Sequence, residues 1–303
     1  MSGAPRPAPR PHANAAKGAL LKALALFLGA QFLFILVDAT GKYLVRDFPV
    51  LAVVWARYFF HFLFMAAYVA LVGDRRLLAT QRPGLQLARA FTVFAFAIFL
   101  FAALKYLPQA EATAISFVAP LLILVLAGPL LGERVSWARW AAALAGFAGM
   151  LVIVRPGSGL ATIGVAFAIA TLVCNAAFQL MSRKLALTEN PITTVFLSSL
   201  IGTVGATLLL PFGLPDRWPD LWQSTLFLSF AVTGSVSHLM LMRAYRLAPA
   251  SFIAPFIYVH IVQATISGLV FFGQFPDAVT LVGIAIILAS GAAIAVHEQR
   301  RKA

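Results

Sequence analysis

The sequence predicts an all-α integral membrane protein of ten transmembrane helices, arranged as two inverted five-helix repeats. Three observations carry this expectation. First, the 303-residue chain is 61% hydrophobic and 11% charged, more apolar surface than a soluble fold of that size can bury. Second, the apolar residues fall in long runs. At about 1.5 Å per residue, some twenty helical residues cross a hydrocarbon core of roughly 30 Å. Third, the stretch from Ala103 to Ile153 has a weak echo 141 residues later, from Ala244 to Ile294.

The runs are continuous rather than alternating, which excludes a β-barrel. In the echo, Ala103 falls on Ala244, Pro108 on Pro249, Val118 on Val259, Gly132 on Gly273, Ala148 on Ala289 and Ile153 on Ile294. Upstream, at an offset of 142, Lys42 falls on Lys184, Asp47 on Glu189 and Pro49 on Pro191. Helix-punctuating prolines flanked by charge are harder to match by chance than apolar residues.

Residues 1–18, rich in Pro, Ala and Arg, read as a disordered cytoplasmic tail. The apolar run that follows shows no convincing cleavage site and continues too far for a signal peptide, so it reads as a retained span. The spans are expected at 20–42, 50–72, 85–105, 108–131, 136–154, 160–182, 191–212, 221–243, 249–272 and 277–296. Pro49, Pro108, Pro191 and Pro249 stand at span starts, where a missing N–H costs little. Spans 1–5 form a first repeat over 19–155 and spans 6–10 a second over 156–297. A basic cytoplasmic tail closes the chain at 298–303.

Lysine and arginine set the orientation. One side receives seventeen of them, in the N-terminal tail and at Lys22, at 75–89, at Arg134 and Arg139, at Arg183 and Lys184, at Arg243 and Arg246, and at the C-terminus. The other side receives five: Lys42, Arg46, Lys105, Arg155 and Arg217. Both termini are therefore expected in the cytoplasm. Five spans is an odd number, so the second half starts from the opposite side and the copies are inverted. The loop GERVSWAR (132–139) then faces the cytoplasm and its counterpart GQFPDA (273–278), with no basic residue, faces out. Inverted repeats place a substrate site near the bilayer midplane between the halves.

The net charge of +13 does not indicate nucleic acid, because the basic residues sit in short loops between spans. The single cysteine, Cys174, excludes a disulfide framework and a zinc cluster. No nucleophile–base pair, phosphate loop or zinc motif appears, so neither a cofactor nor a metal is expected.

What remains is polar residues at membrane depth, which are expensive and face a cavity or a partner. Arg57 and His61 share one face of span 2. Arginine at that depth costs roughly 2.5–3.5 kcal/mol on insertion scales. Arg57 reads either as a clamp for an anionic group or a partner for a coupling carboxylate, or as one half of a structural ion pair with Asp38. Asp38 reads either as the partner of Lys42 in an i,i+4 salt bridge or as a proton carrier. Glu111 lies in the first turn of span 4, where a helix N-terminus favours a carboxylate; it either stabilises that end or faces the cavity mouth. Asn175 and Gln179 share a face of span 6 and, with Gln31 of span 1, read first as interhelical hydrogen-bond donors and then as substrate contacts. His238 in span 8, and His260 with Gln263 in span 9, read as neutral buried groups or as cavity groups. Tyr258 would present a ring and a hydroxyl beside His260. Phe91, Phe94, Phe96, Phe99 and Phe101 crowd span 3, where lipid contact and packing come first and a flat substrate second. Gly128 and Gly132 form a step for close helix approach, within the chain or in a homodimer.

The stretch YLPQAEATAISFVAPLLILVLAGPLLGERVSWARWAAALAGFAGMLVIVRPG resembles the first EamA domain of the drug/metabolite transporter superfamily. DATGKYL (38–44) and WARYFF (55–60) resemble that family's first two spans. The resemblance implies a ten-helix, proton- or exchange-driven carrier of small organic metabolites in a bacterial inner membrane. It also implies that spans 3, 4, 8 and 9 line a central cavity, which adds weight to His238, His260 and Gln263, and that spans 5 and 10 are peripheral. The second copy departs from the pattern, with Gln274 where the first has Glu133.

The expected function is secondary transport of a small, polar, amino-acid-like metabolite, with export preferred. A vitamin importer of the riboflavin type is the alternative. A membrane-embedded lipid-modifying enzyme and a non-transporting scaffold are more remote.

Overall fold

A computed structural model of the chain describes residues 13–74, 78–119, 121–123, 137–155, 159–185, 188–248 and 250–300. Every regular element among them is helical. The first half comprises α1 (Ala13–Leu44), α2 (Val50–Val72), α3 (Pro83–Tyr106), α4 (Gln109–Ser116) and α5 (Trp137–Val154). The second comprises α6 (Thr162–Leu185), α7 (Pro191–Leu209), α8 (Leu221–Leu247), the short α9 (Ala250–Ile253), α10 (Val259–Phe272) and α11 (Ala278–Arg300). A 3-10 segment, Ala254–Tyr258, joins α9 to α10.

Among the described residues, six helices are long and apolar enough to cross a membrane: α1, α2, α3, α6, α7 and α8. Shorter apolar helices run over Gln109–Ile123, Trp140–Val154, Phe256–Phe272 and Ala278–Ala293. The later part of the expected fourth span, with the Gly128–Gly132 step, lies outside the described residues.

Local chemistry sets the ends. Pro83 and Pro191 occupy the first turn of α3 and α7, where no N–H is missed. Asn190 caps α7, and Asp220 with Gln223 forms a reciprocal capping box on α8. Gly73 and Gly273 close α2 and α10 in the left-handed conformation.

The helix neighbours follow a rule. α3 packs on α6 as α1 packs on α8; α2 on α8 as α3 on α7; and α1 on α10 as α4 on α6. The remaining main pairs, α2 with α7, α4 with α10 and α5 with α11, join equivalent positions of the two halves. Swapping each helix for its counterpart in the other half leaves this list unchanged. The α5–α11 crossing is tight. A Cβ added to Gly149 would lie 2.8 Å from the carbonyl oxygen of Gly283, so only paired glycines let these backbones touch.

Two interior segments are not continuous α-helix. α4 ends at Ser116 and turns at Phe117 and Val118, just before Pro120. The second break is the 3-10 segment containing Pro255. Proline removes an N–H and crowds the preceding turn, a recognised cause of such interruptions.

Candidate functional site

One face of α1 organises the interior. Gln31, Phe34, Asp38 and Lys42 recur at steps of three and four, and Gln31, Asp38 and Lys42 are all buried. His238 of α8 meets Phe34 edge-on, with ring centroids 4.9 Å apart. His61 of α2 stacks on His238 at 5.4 Å. Arg57, one turn before His61, holds its guanidinium 5.3 Å above the Phe101 ring. One turn further along α1, Asp38 Oδ2 lies 3.8 Å from His260 Nε2 of α10. His260 in turn stacks on Phe117, at the break after α4, at 4.9 Å. The structure thus gathers Arg57, His61, Asp38, His238 and His260 from both halves around α1.

Three of these groups, and Gln263 one turn along α10 from His260, have unused hydrogen-bonding capacity. Arg57 Nη1, His61 Nε2, His260 Nδ1 and Gln263 Oε1 are buried without a partner in the chain. Leaving such an atom unsatisfied costs about 1–3 kcal/mol, and native structures keep few of them. The cluster offers donors for an anionic or carbonyl group and ring faces for a flat one.

Two expected ion pairs do not form. Arg57 makes no salt bridge to Asp38, since its guanidinium sits on Phe101 instead. Lys42 does not pair with Asp38 along α1. Its ammonium donates to the carbonyl of Leu104 at 3.0 Å and to that of Leu107. The physical reason is the end of α3, whose last carbonyls have no intrahelical partner and attract a cation. Tyr258 is buried, and its ring packs against Gly291 of α11, where an added Cβ would fall 2.0 Å from the ring.

Asn175 donates between helices, whereas Gln179 bonds within its own helix α6. Gln179 Nε2 donates to Asn175 Oδ1 at 3.1 Å, and Asn175 Nδ2 donates to the Ser116 carbonyl at 3.4 Å. Gln31 Nε2 donates to the Ile257 carbonyl at the same distance. Of the phenylalanines in α3, Phe101 is fully buried against Arg57 and Phe230, whereas Phe91 is exposed.

Arg89 was expected among the orienting basic residues near a loop. It is instead buried in α3, six residues past Pro83 and so about 9 Å along the helix. It donates to the hydroxyls of Ser182 (2.7 Å) and Ser198 (2.6 Å) and lies over the Phe178 ring at 4.6 Å. Gln86, on the same face, donates to Thr194 Oγ1 at 3.0 Å. The signal was in the sequence: Pro83 opens the helix, which puts Gln86 and Arg89 inside the bundle together. Gln109 was also missed. It is fully buried, donates to the Ile35 carbonyl at 3.4 Å and accepts from Ser267 Oγ at 2.9 Å.

A recess of about 510 Å³ opens where α1 and α3 end and α4 and α11 begin. Lys42, Arg46, Lys105, Glu111, Gln274 and Asp277 line it. Glu111 is in the first turn of α4, where its carboxyl meets its own backbone N–H, while the cap residue Pro108 makes no side-chain bond. The exposed Asp277 carboxyl is held below its ordinary range by the Thr280 N–H and hydroxyl, then by the Arg155 guanidinium at 2.6 Å. Lys42, at the floor of the recess, is one helical turn from Asp38.

Residues 21–155 and 162–296 each match the model of the EamA-like transporter family. The chain belongs to that family. It is a multi-pass membrane transporter of the drug/metabolite transporter superfamily, and its relatives are transporters rather than enzymes. It is 27% identical to an S-adenosylmethionine uptake transporter of Rickettsia bellii over 253 residues, 83% of this chain and 85% of that one. It is 28% identical to a riboflavin transporter of Vibrio cholerae over 278 residues, 90% of this chain and 93% of that one. It is 30% identical to a riboflavin transporter of Rhizobium johnstonii over 280 residues, 90% of each. A solved crystal structure superposes with a TM-score of 0.64 over 95% of this EamA-like chain and 99% of the other, at 21% identity, which shows a shared fold.

Proposed function

We propose that this EamA-like protein is a secondary active transporter that carries a small polar organic metabolite across a bacterial inner membrane by alternating access of its two halves. The observation that carries the reading is the set of unsatisfied buried atoms on Arg57, His61, His260 and Gln263. They lie on α2 of one half and α10 of the other; α10 packs on α1, and α2 reaches α1 through the His61–His238–Phe34 stack. A substrate that supplies partners to these groups offsets their desolvation in the bound state, and releases them as the halves move.

We take the copies as inverted five-helix repeats with both termini cytoplasmic. The odd span count, the seventeen-to-five charge bias and the exchangeable list of helix neighbours support this. The breaks before Pro120 and at Pro255 fit the discontinuous helices that line transporter sites.

The residues alone favoured export of an amino-acid-like compound. The names of the Rickettsia relatives favour uptake instead, and uptake is the direction adopted here. The stacks His61–His238 and Phe117–His260 suit a fused nitrogen heterocycle, which S-adenosylmethionine and riboflavin both contain. Arg57 suits a carboxylate, which only the first contains. The riboflavin-type importer is the second reading, favoured by the ring stacks alone. A thermal-shift panel of purified protein separates them, because only a ligand that prefers the folded state stabilises it. Stabilisation by S-adenosylmethionine that vanishes in Arg57→Ala supports the first reading. Stabilisation by riboflavin that survives Arg57→Ala supports the second.

A further inference from the structure

We propose that the recess at the end of α1 and α3 is a distinct subsite that captures a zwitterionic α-amino-carboxylate head group at the mouth of the carrier. The inference deepens the transporter reading and rests on it for its role in uptake.

Glu111 is about 95% buried, yet its Oε2 has no hydrogen-bond partner in the chain. The Oε1 of Gln274, on the facing corner after α10, is also buried without a partner. Both residues line the same recess. Two buried acceptor oxygens without a donor describe a place for a group that brings only donors, and a primary ammonium brings three.

The opposite charge stands at the rim. Arg46 and Lys105 also line the recess and are exposed. Neither holds a carboxylate among the described residues. Arg46 lies over the Phe272 ring at 4.9 Å, which fixes its guanidinium beside the opening. Lys42 directs two of its three donors at the carbonyls of Leu104 and Leu107, which ties its ammonium to the end of α3 at the floor of the recess. Asp277 is likewise occupied by Arg155.

Apart from Lys42, held by the α3 carbonyls at the floor, the unpaired acceptors lie inside the recess and the cations Arg46 and Lys105 at its rim. An α-amino acid head satisfies both sets with one carbon between ammonium and carboxylate. A volume of about 510 Å³ leaves room for the head and several further atoms. A neutral flat molecule uses neither set. Buried acceptors of this kind discriminate strongly against analogues that cannot donate, because rejection leaves them unpaired.

The test uses full-length protein in detergent and three probes: L-methionine, L-methionine methyl ester and N-acetyl-L-methionine. Binding is read by thermal shift and by competition against uptake in proteoliposomes. The expected result is binding of L-methionine, with the ester and the N-acetyl compound each about tenfold weaker or worse. Glu111→Gln weakens L-methionine about tenfold and leaves the melting temperature of the free protein nearly unchanged. If Glu111→Gln does not fold, Gln274→Leu, at the solvent-facing corner, gives the same reading. Equal binding of either blocked probe, or wild-type affinity in the folded variants, overturns the proposal. Probe binding without any uptake overturns the transporter reading and leaves the subsite standing. Uptake that none of the probes inhibits does the reverse.

Discussion

The side-chain amide of Asn175 meets the backbone carbonyl of Ser116 at 3.4 Å, and 141 residues beyond Ser116 the carbonyl of Ile257 receives Gln31 at the same distance. Each carbonyl lies at the break of an interrupted helix. Each donor lies on the first helix of the opposite half. An interruption frees carbonyls that lipid cannot satisfy, so a neighbouring helix must supply the donor. The halves thus cap each other's broken helices.

Removing these donors should loosen the breaks. Gln31→Leu and Asn175→Leu are each expected to destabilise the protein by about 0.5–1.5 kcal/mol, the range of interhelical hydrogen bonds in membranes. Thermal unfolding in detergent measures this. Two variants as stable as the wild type would show that the caps contribute nothing.

Arg89 is expected to be structural. Its two hydroxyl partners already donate to carbonyls of their own helices, Ser182 to Phe178 and Ser198 to Thr194. They are therefore oriented to accept from the guanidinium. A lysine keeps the charge but not the fork that spans both hydroxyls. Arg89→Lys should cost about 1.5–3 kcal/mol, the value of a hydrogen bond to a charged group, and leave the substrate KM within about twofold. A large rise in KM at unchanged stability would move Arg89 into the substrate site.

The general plan of the fold was legible because apolar run length and proline position are one-dimensional signals. Pro83, Pro191 and the capping pair Asp220 and Gln223 mark helix starts in the sequence, and the structure uses them so. Partner choice was less legible. Lys42 and Asp38 are four apart, which is enough to suggest a pair, but the free carbonyls of α3 come from sixty residues away and outcompete it. The environment of Tyr258 depended on a glycine in α11 that no local pattern links to it. Arg89 was read by its nearness to a loop, when the helix start at Pro83 already placed it inside.

The Asp277 carboxyl gives a pH prediction at the mouth of the recess. Its folded pKa is depressed, so its contribution to stability is present above the unfolded value of about 3.9 and lost as pH falls through the lower folded value. Melting temperatures measured from pH 7 to pH 3 should fall further in the wild type than in Asp277→Asn. Parallel curves would mean that the bonds to Thr280 and Arg155 do not persist in solution.

Topology offers an independent check on inversion. Reporter tags at the N-terminus and the C-terminus should both read as cytoplasmic, and a reporter in the loop 213–219 should read as external. A C-terminus on the outside would remove the even span count and the inverted arrangement with it.

The central claim is that Arg57 contacts the carried molecule. Uptake of labelled S-adenosylmethionine into proteoliposomes, with wild type and Arg57→Ala side by side, tests it most directly. Time-dependent accumulation is expected in the wild type, reduced at least about a hundredfold in a variant that inserts and melts normally. Wild-type rates in Arg57→Ala would contradict it.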